Sequence, residues 1–434
     1  MVIAHPRRRC RSSDHGVLLS CLIWLWRADL RVAREGQPRR DDNAGGKSGN
    51  ITRVAVKGDV VRWARERSGT SLHDLSRRFP KIEEWEAEES QPTLRQLEDF
   101  AQKTLTPLGY LFLADPPDTR LPIPDFRTVQ QDAAPRPSPN LLETVYAMLR
   151  RQDWMREYLI EQGRPPLGFV GAASPDDPAP QVAARMRREL GVGDAWAGQH
   201  ATWTGALAAL IDLVENAGIL VVSNGVVGNN THRALDPEEF RGFVLTDDYA
   251  PLVFINTVDG KAAQMFTLAH ELAHVWFAQS AAFDLRDVQP ARVPVEQACN
   301  RVAAELLVPE AAMLAAWPSA RGEVRPFDEL ARRFKVSTLV VARRALDLRL
   351  IDREGFFAFY GGYREDARRQ AAAKPSGGNF WATQEGRIGR RFGEAVVRAT
   401  QEGRLLYRDA FLLTDLHGGT FARYAARIDA SGAA

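Results

Sequence analysis

Residues 252–276 read LVFINTVDGKAAQMFTLAHELAHVW, and the fold turns on how this stretch divides. Leu252 to Ile255 form a short apolar run that predicts a strand. Asp259 is available as a helix cap, and Phe266 to Trp276 predict a helix. On a helix His270 and His274 stand one turn apart on one face, so both imidazoles reach one Zn²⁺ at about 2.0–2.1 Å. Glu271 is rotated by about 100° from His270, which sets a carboxylate beside the ion rather than on it. Leu268, Ala269, Val275 and Trp276 flank the histidines without charge. That apolar frame separates a metal helix from a chance His-Glu-x-x-His string on a surface helix.

Upstream, the helical period Ala206, Leu207, Leu210, Ile211, Val214 opens at a candidate cap, Thr204, and closes at Gly218. Strand-like runs follow at Ile219–Val222 and Gly242–Leu245. Helix and strand alternate with no glycine-rich phosphate loop, which predicts an α+β fold rather than a doubly wound nucleotide fold. A strand directly before the metal helix, Leu252 to Ile255, is expected to receive an extended substrate by β-addition.

A catalytic zinc site takes three protein ligands and keeps one position open. The segment PVEQACNRVAAELLVP, residues 294–309, supplies the third. Glu296 and Asn300 are four apart on one helix face, so Glu296 can ligate while Asn300 orients a ligating histidine. Glu305 is the rival, next to the apolar end of that helix. Cys299 shares a face with Glu296 as a soft ligand or, by the blander reading, a small buried thiol. Two neutral imidazoles and one carboxylate leave one Zn²⁺ ion with net charge +1 and bring its water's pKa towards about 7. Glu271 then acts as general base, and His232, Arg233 and Tyr249 are candidate oxyanion donors.

Composition sets the limits around this site. The 434 residues are 45% hydrophobic and 26% charged, as expected of a globular chain of two or three domains rather than a disordered one. Lys and Arg number 57 against 55 Asp and Glu, but residues 1–50 hold ten basic and five acidic side chains, leaving 47 against 50 for the rest. A body with a small acidic excess has no charge-driven claim on nucleic acid. The strongly apolar run Val17–Trp26 has ten residues, about half a membrane span. It resembles the front of a secretory signal, yet no cleavage site follows, so a cytoplasmic protein with no membrane partner is expected. Cys10, Cys21 and Cys299 cannot form a paired framework and suit a reducing compartment.

Together FTLAHELAHVWF and VEQACNRVAAELLVP resemble the ImmA/IrrE family of bacterial metallopeptidases. Further likeness lies in LGYLFLADPPDTRLPIPDFRT and THRALDPEEFRGF, so the resemblance spans about residues 52–360. It implies a zincin-like domain with one zinc and cleavage of a partner protein, often a repressor or an antitoxin-type transcription factor. By position His270, His274 and Glu296 match the family's ligands and Glu271 its catalytic glutamate. Ala298 stands where many relatives carry a second acid, which removes a competitor of Glu296.

Val60 to Thr104 resembles the Cro/repressor helix-turn-helix type, but the stretch between Leu75 and Trp85 is shorter than in that family and carries Pro80, Glu83 and Glu84. Docking of a partner protein is at least as good a reading as base recognition. A second helix-turn-helix pattern, Phe327 to Leu346, offers Arg332, Arg333, Lys335, Arg343 and Arg344 to phosphates, or simply packs two helices on the catalytic core. The expected plan is a basic extension (1–50), a helix-turn-helix-like domain (51–116), a Pro-rich linker (117–140), a helical connecting region (141–200), the peptidase domain (201–360) and a helical C-terminal tail (361–434). The competing function is a DNA-binding regulator or toxin–antitoxin component whose zincin domain senses metal or binds a partner without proteolysis.

Overall fold

The computed structural model describes residues 53–119, 121–122, 137–283, 294–371 and 380–432. The basic extension, its apolar run and most of the Pro-rich linker lie outside them. The described residues form two compact units, one of residues 53–119 with 137–139 and one of 121–122 with 140–432.

In the first unit, four short helices pack their apolar positions inward: α1 (Gly58–Arg67), α2 (Leu72–Ser76), α3 (Ile82–Glu86) and α4 (Leu94–Lys103). A 3-10 turn at Leu108–Phe112 closes the bundle. Ser71 caps α2, and Thr93 with Gln96 forms a reciprocal capping box on α4, which satisfies amide donors that a helix start leaves over. Trp85 is fully buried against Phe79 and Phe100, so its helix is held by the core. Glu86 on α3 takes Arg65 of α1 at 2.6 and 3.1 Å. The five-residue α3 leaves Glu83 exposed and Glu84 half-buried, where a base-reading helix would want cations.

The second unit contains the site. Its chain runs through α5 (Pro139–Glu161), α6 (Ala179–Glu189) and α7 (Trp203–Asn216) to the strands β1 (Leu220–Asn224), β2 (Val226–Val227), β3 (Asn230–Ala234), β4 (Gly242–Leu245) and β5 (Leu252–Asn256). Helix α8 (Lys261–Trp276) follows β5, then β6 (Ala281–Phe283), α9 (Pro294–Leu307), α10 (Glu310–Ala320), α11 (Pro326–Phe334), α12 (Thr338–Asp347) and α13 (Arg353–Ala371). The C-terminal helices are α14 (Phe380–Ile388), α15 (Arg390–Gln401), α16 (Tyr407–Thr414) and α17 (Gly418–Gly432). Thr202 rather than Thr204 caps α7, and Gly260 rather than Asp259 precedes α8, because Asp259 is drawn into an ion pair with Arg241 at 2.7 Å.

Four strands form one sheet in the order β1-β5-β4-β6, with β1 parallel to β5 and the other pairs antiparallel. Residues alternate between its faces. Val221, Val244, Val253 and Ile255 join one core with α8 and α9, while Leu220, Val222, Phe243, Leu245, Leu252 and Phe254 join a second with α5 and the C-terminal helices. Burial on both faces explains why the strands read as unbroken apolar runs. Strand β5 is interior, bonded to β1 on one side and β4 on the other, so the expected substrate pairing on Leu252–Ile255 is overturned: its backbone groups are already used.

The C-terminal helices belong to this unit. Arg151 of α5 is buried and donates to the carbonyls of Leu413 and Arg387, both at 2.8 Å, with its guanidinium over the Phe392 ring. Helices α11 and α12 pack Leu330, Ala331, Phe334, Val341 and Ala345 into the core beside α8.

Candidate metal centre

Every residue of α8 from Gln264 to Trp276 is buried, since the helix is enclosed by the sheet, α7 and α9. A helix apolar on all sides must sit inside a protein, and here it holds His270 and His274 at zero exposure. Their Nε2 atoms are 3.1 Å apart. Helix α9 lies across α8 and delivers the Glu296 carboxylate, with Oε2 3.0 Å from His270 Nε2 and Oε1 3.1 Å from His274 Nε2. Asn300, one turn on, places Oδ1 3.1 Å from His270 Nδ1. With the proton on Nδ1 and donated to that oxygen, Nε2 keeps its lone pair for a metal.

Glu271 is wholly buried, and neither carboxylate oxygen has a hydrogen-bond partner. A buried acid without a partner costs free energy that some other group must offset. Burial and the neighbouring charge of Glu296 push the Glu271 carboxyl well above its ordinary value. For Glu296, burial acts in the same direction, but the two imidazoles outweigh it and hold the carboxyl below the usual range. Burial lowers His274, which favours the neutral ring that ligates. Two carboxyl groups and two imidazoles therefore converge in a buried pocket. Ligands on a tetrahedral zinc are roughly 3.3 Å apart for bonds of about 2.0–2.1 Å, so the donor spacings fit such an ion and the orphaned Glu271 oxygens fit a cation nearby.

Strand β4 shapes the remaining wall. Gly242 begins it, and a Cβ there would stand 2.6 Å from Thr267 Cγ2, 2.9 Å from the Phe254 carbonyl and 3.2 Å from Glu271 Oε1. Glycine lets α8 press its carboxylate against the sheet. In the sequence its only signal is a lone glycine opening a strand-like run.

Other expected groups are elsewhere. Glu305, the rival ligand, is buried in an ion pair with Arg344 and accepts the Glu310 amide at 3.2 Å. Arg344 also donates to the Val308 carbonyl, so it is withdrawn from any phosphate. Lys335 is buried over Trp203, and Arg343 pairs with Asp347. The oxyanion candidates are not brought to the site: Arg233 binds Asn140 and Glu143, His232 is exposed on the β2–β3 hairpin, and Tyr249 packs with the outer-face core. Cys299 is at zero exposure, and its sulfur and one nitrogen of each imidazole lie within 4.8 Å of one another.

An α+β unit with an enclosed His-Glu-x-x-His helix and a second helix bearing a carboxylate is of the metallopeptidase type. Residues 214–346 match the peptidase M78 family model, described as an IrrE N-terminal-like domain, which supports a peptidase. Residues 388–427 match a domain of unknown function, DUF8813. No curated protein matches the chain. Among the described residues, no helix is long and apolar enough to cross a membrane.

Proposed function

We propose that the chain is a zinc-dependent endopeptidase that cleaves a partner regulatory protein, a repressor or an antitoxin-like factor, with His270, His274 and Glu296 as ligands and Glu271 as general base. The observation that carries this reading is the convergence of two imidazole Nε2 atoms and the Glu296 oxygens within 3.0–3.1 Å, beside a buried, unpartnered Glu271. When bound, zinc supplies a Lewis acid for the peptide carbonyl and for water. Glu271 takes the proton released by the attacking water and returns it to the leaving amine. Asn300 fixes the ring of His270. The helical unit of residues 53–119 is assigned to partner recognition rather than base reading, since α3 bears acids where phosphate contacts would be needed.

The test incubates the protein with the regulator encoded beside it, with and without zinc, and compares wild type with Glu271→Gln. Zinc-dependent cleavage by wild type alone is the expected outcome. Equal cleavage by both proteins, or a shift of DNA without cleavage by either, refutes the reading in favour of a regulator.

A further inference from the structure

We propose that Cys299 is a fourth protein ligand: in the resting protein its sulfur completes a closed His270, His274, Glu296 and Cys299 set around the metal. The inference rests on the proposed metal site. Glu296 and Cys299 are three residues apart on α9, so one helix face presents a carboxylate and a thiol to the same pair of imidazoles. The sulfur and one nitrogen from each ring lie within 4.8 Å of one another. Cys299 is wholly buried, so its sulfur faces the protein interior beside the two rings rather than solvent. The Glu271 oxygens, buried and without partners, share the pocket.

The chemistry gives the fourth ligand a consequence. Zinc accepts sulfur at about 2.3 Å alongside imidazole nitrogen at about 2.0–2.1 Å, so a modest approach of the α9 backbone seats both. Metal binding displaces the thiol proton to solvent, so two neutral imidazoles, one carboxylate and one thiolate bring the site to net charge zero, against +1 without the sulfur. The closed set is saturated and less electrophilic, and it leaves no position for water. Peptide hydrolysis by the zinc-loaded protein then requires Cys299 to give up its place to water when substrate binds, while Glu296 stays.

Cobalt(II) reports this directly. Full-length protein is stripped of metal, loaded with one equivalent of cobalt(II) under reducing conditions, and its absorption compared with that of Cys299→Ala and Cys299→Ser. Wild type is expected to show near-ultraviolet sulfur-to-cobalt charge transfer together with visible tetrahedral bands. The variants should keep the visible bands, lose the charge-transfer band, and hold cobalt at least as many fold more weakly as the roughly 10–100-fold lost with an outer hydrogen-bonding partner. Wild type that binds cobalt with no sulfur band overturns this inference and leaves the metal reading standing. Wild type that binds no cobalt overturns both. Should either variant fail to fold, the wild-type spectrum decides alone.

Discussion

Glu215 joins the peptidase-like part of the chain to the C-terminal helices, and its protonation should be visible in stability. It ends α7 at 2% exposure and meets the start of α15, where Oε1 accepts the Arg391 amide at 3.1 Å and Oε2 stands 3.6 Å from Arg390 Nε. Burial pushes the carboxyl from 4.5 up to about 7, more than the Arg391 amide and Arg390 pull it down. Between those values the folded chain holds a proton that the unfolded chain has released. Stability from this group is therefore full below pH 4.5 and lost as pH rises through 7. At 1.36 kcal/mol per pH unit the loss is about 3 kcal/mol, as an order of magnitude. Glu215→Gln keeps an oxygen for the Arg391 amide and carries no charge. The variant is expected to match wild type near pH 4.5 and to exceed it by about 2–3 kcal/mol at pH 8, read by urea unfolding followed by far-ultraviolet circular dichroism. A stability gap that does not change with pH, or one that widens towards acid, refutes the reasoning.

The buried Glu305–Arg344 pair gives a second expectation: Glu305→Gln leaves the Arg344 charge without its partner and should cost about 3–5 kcal/mol, while zinc content stays at the wild-type level. Loss of zinc in that variant would restore Glu305 as a rival ligand. Gly242→Ala should depress cleavage and thermal stability together, because the new methyl group meets Thr267 and Glu271 and pushes α8 off the sheet. Full activity with an unchanged melting temperature would show that the wall yields at no cost.

Much of the candidate site is legible in the sequence because its signal is local. His270, Glu271 and His274 lie within five residues of one helix, and their apolar neighbours already said that the helix is enclosed. The sequence also favours Glu296 over Glu305 by position on the helix, and the structure pairs Glu305 with Arg344, 39 residues further along the chain. Strand order was the hardest feature to read. Leu252–Ile255 is equally apolar as an edge or an interior strand, and only the pairing of β1 and β4 on its two sides decides between them. The oxyanion candidates failed for the same reason: chemical type is written in the sequence, but the groups that engage Arg233, Asn140 and Glu143 on α5, come from about 90 residues away.

The amphipathic C-terminal helices announce a buried face but not what it covers, and this has a consequence for the matched domain. The family match ends at residue 346, whereas the outer face of the sheet is covered from outside it. Phe392, Val396, Phe421 and Tyr424 on one side and Leu141, Val145 and Met148 on the other pack with Leu220, Val222, Phe243, Leu245, Leu252 and Phe254. Fully burying one such side chain contributes about 1.5–3 kcal/mol, so exposing even half of six would cost on the order of 5–9 kcal/mol. A domain's whole stability is about 5–15 kcal/mol. A chain ending before Phe380 is therefore expected to lose its cooperative unfolding transition and, with it, the fixed approach of α8 to the sheet that the proposed zinc site needs. Retention of a wild-type melting transition and zinc content by that shortened chain would show that α5 alone suffices to cover the face.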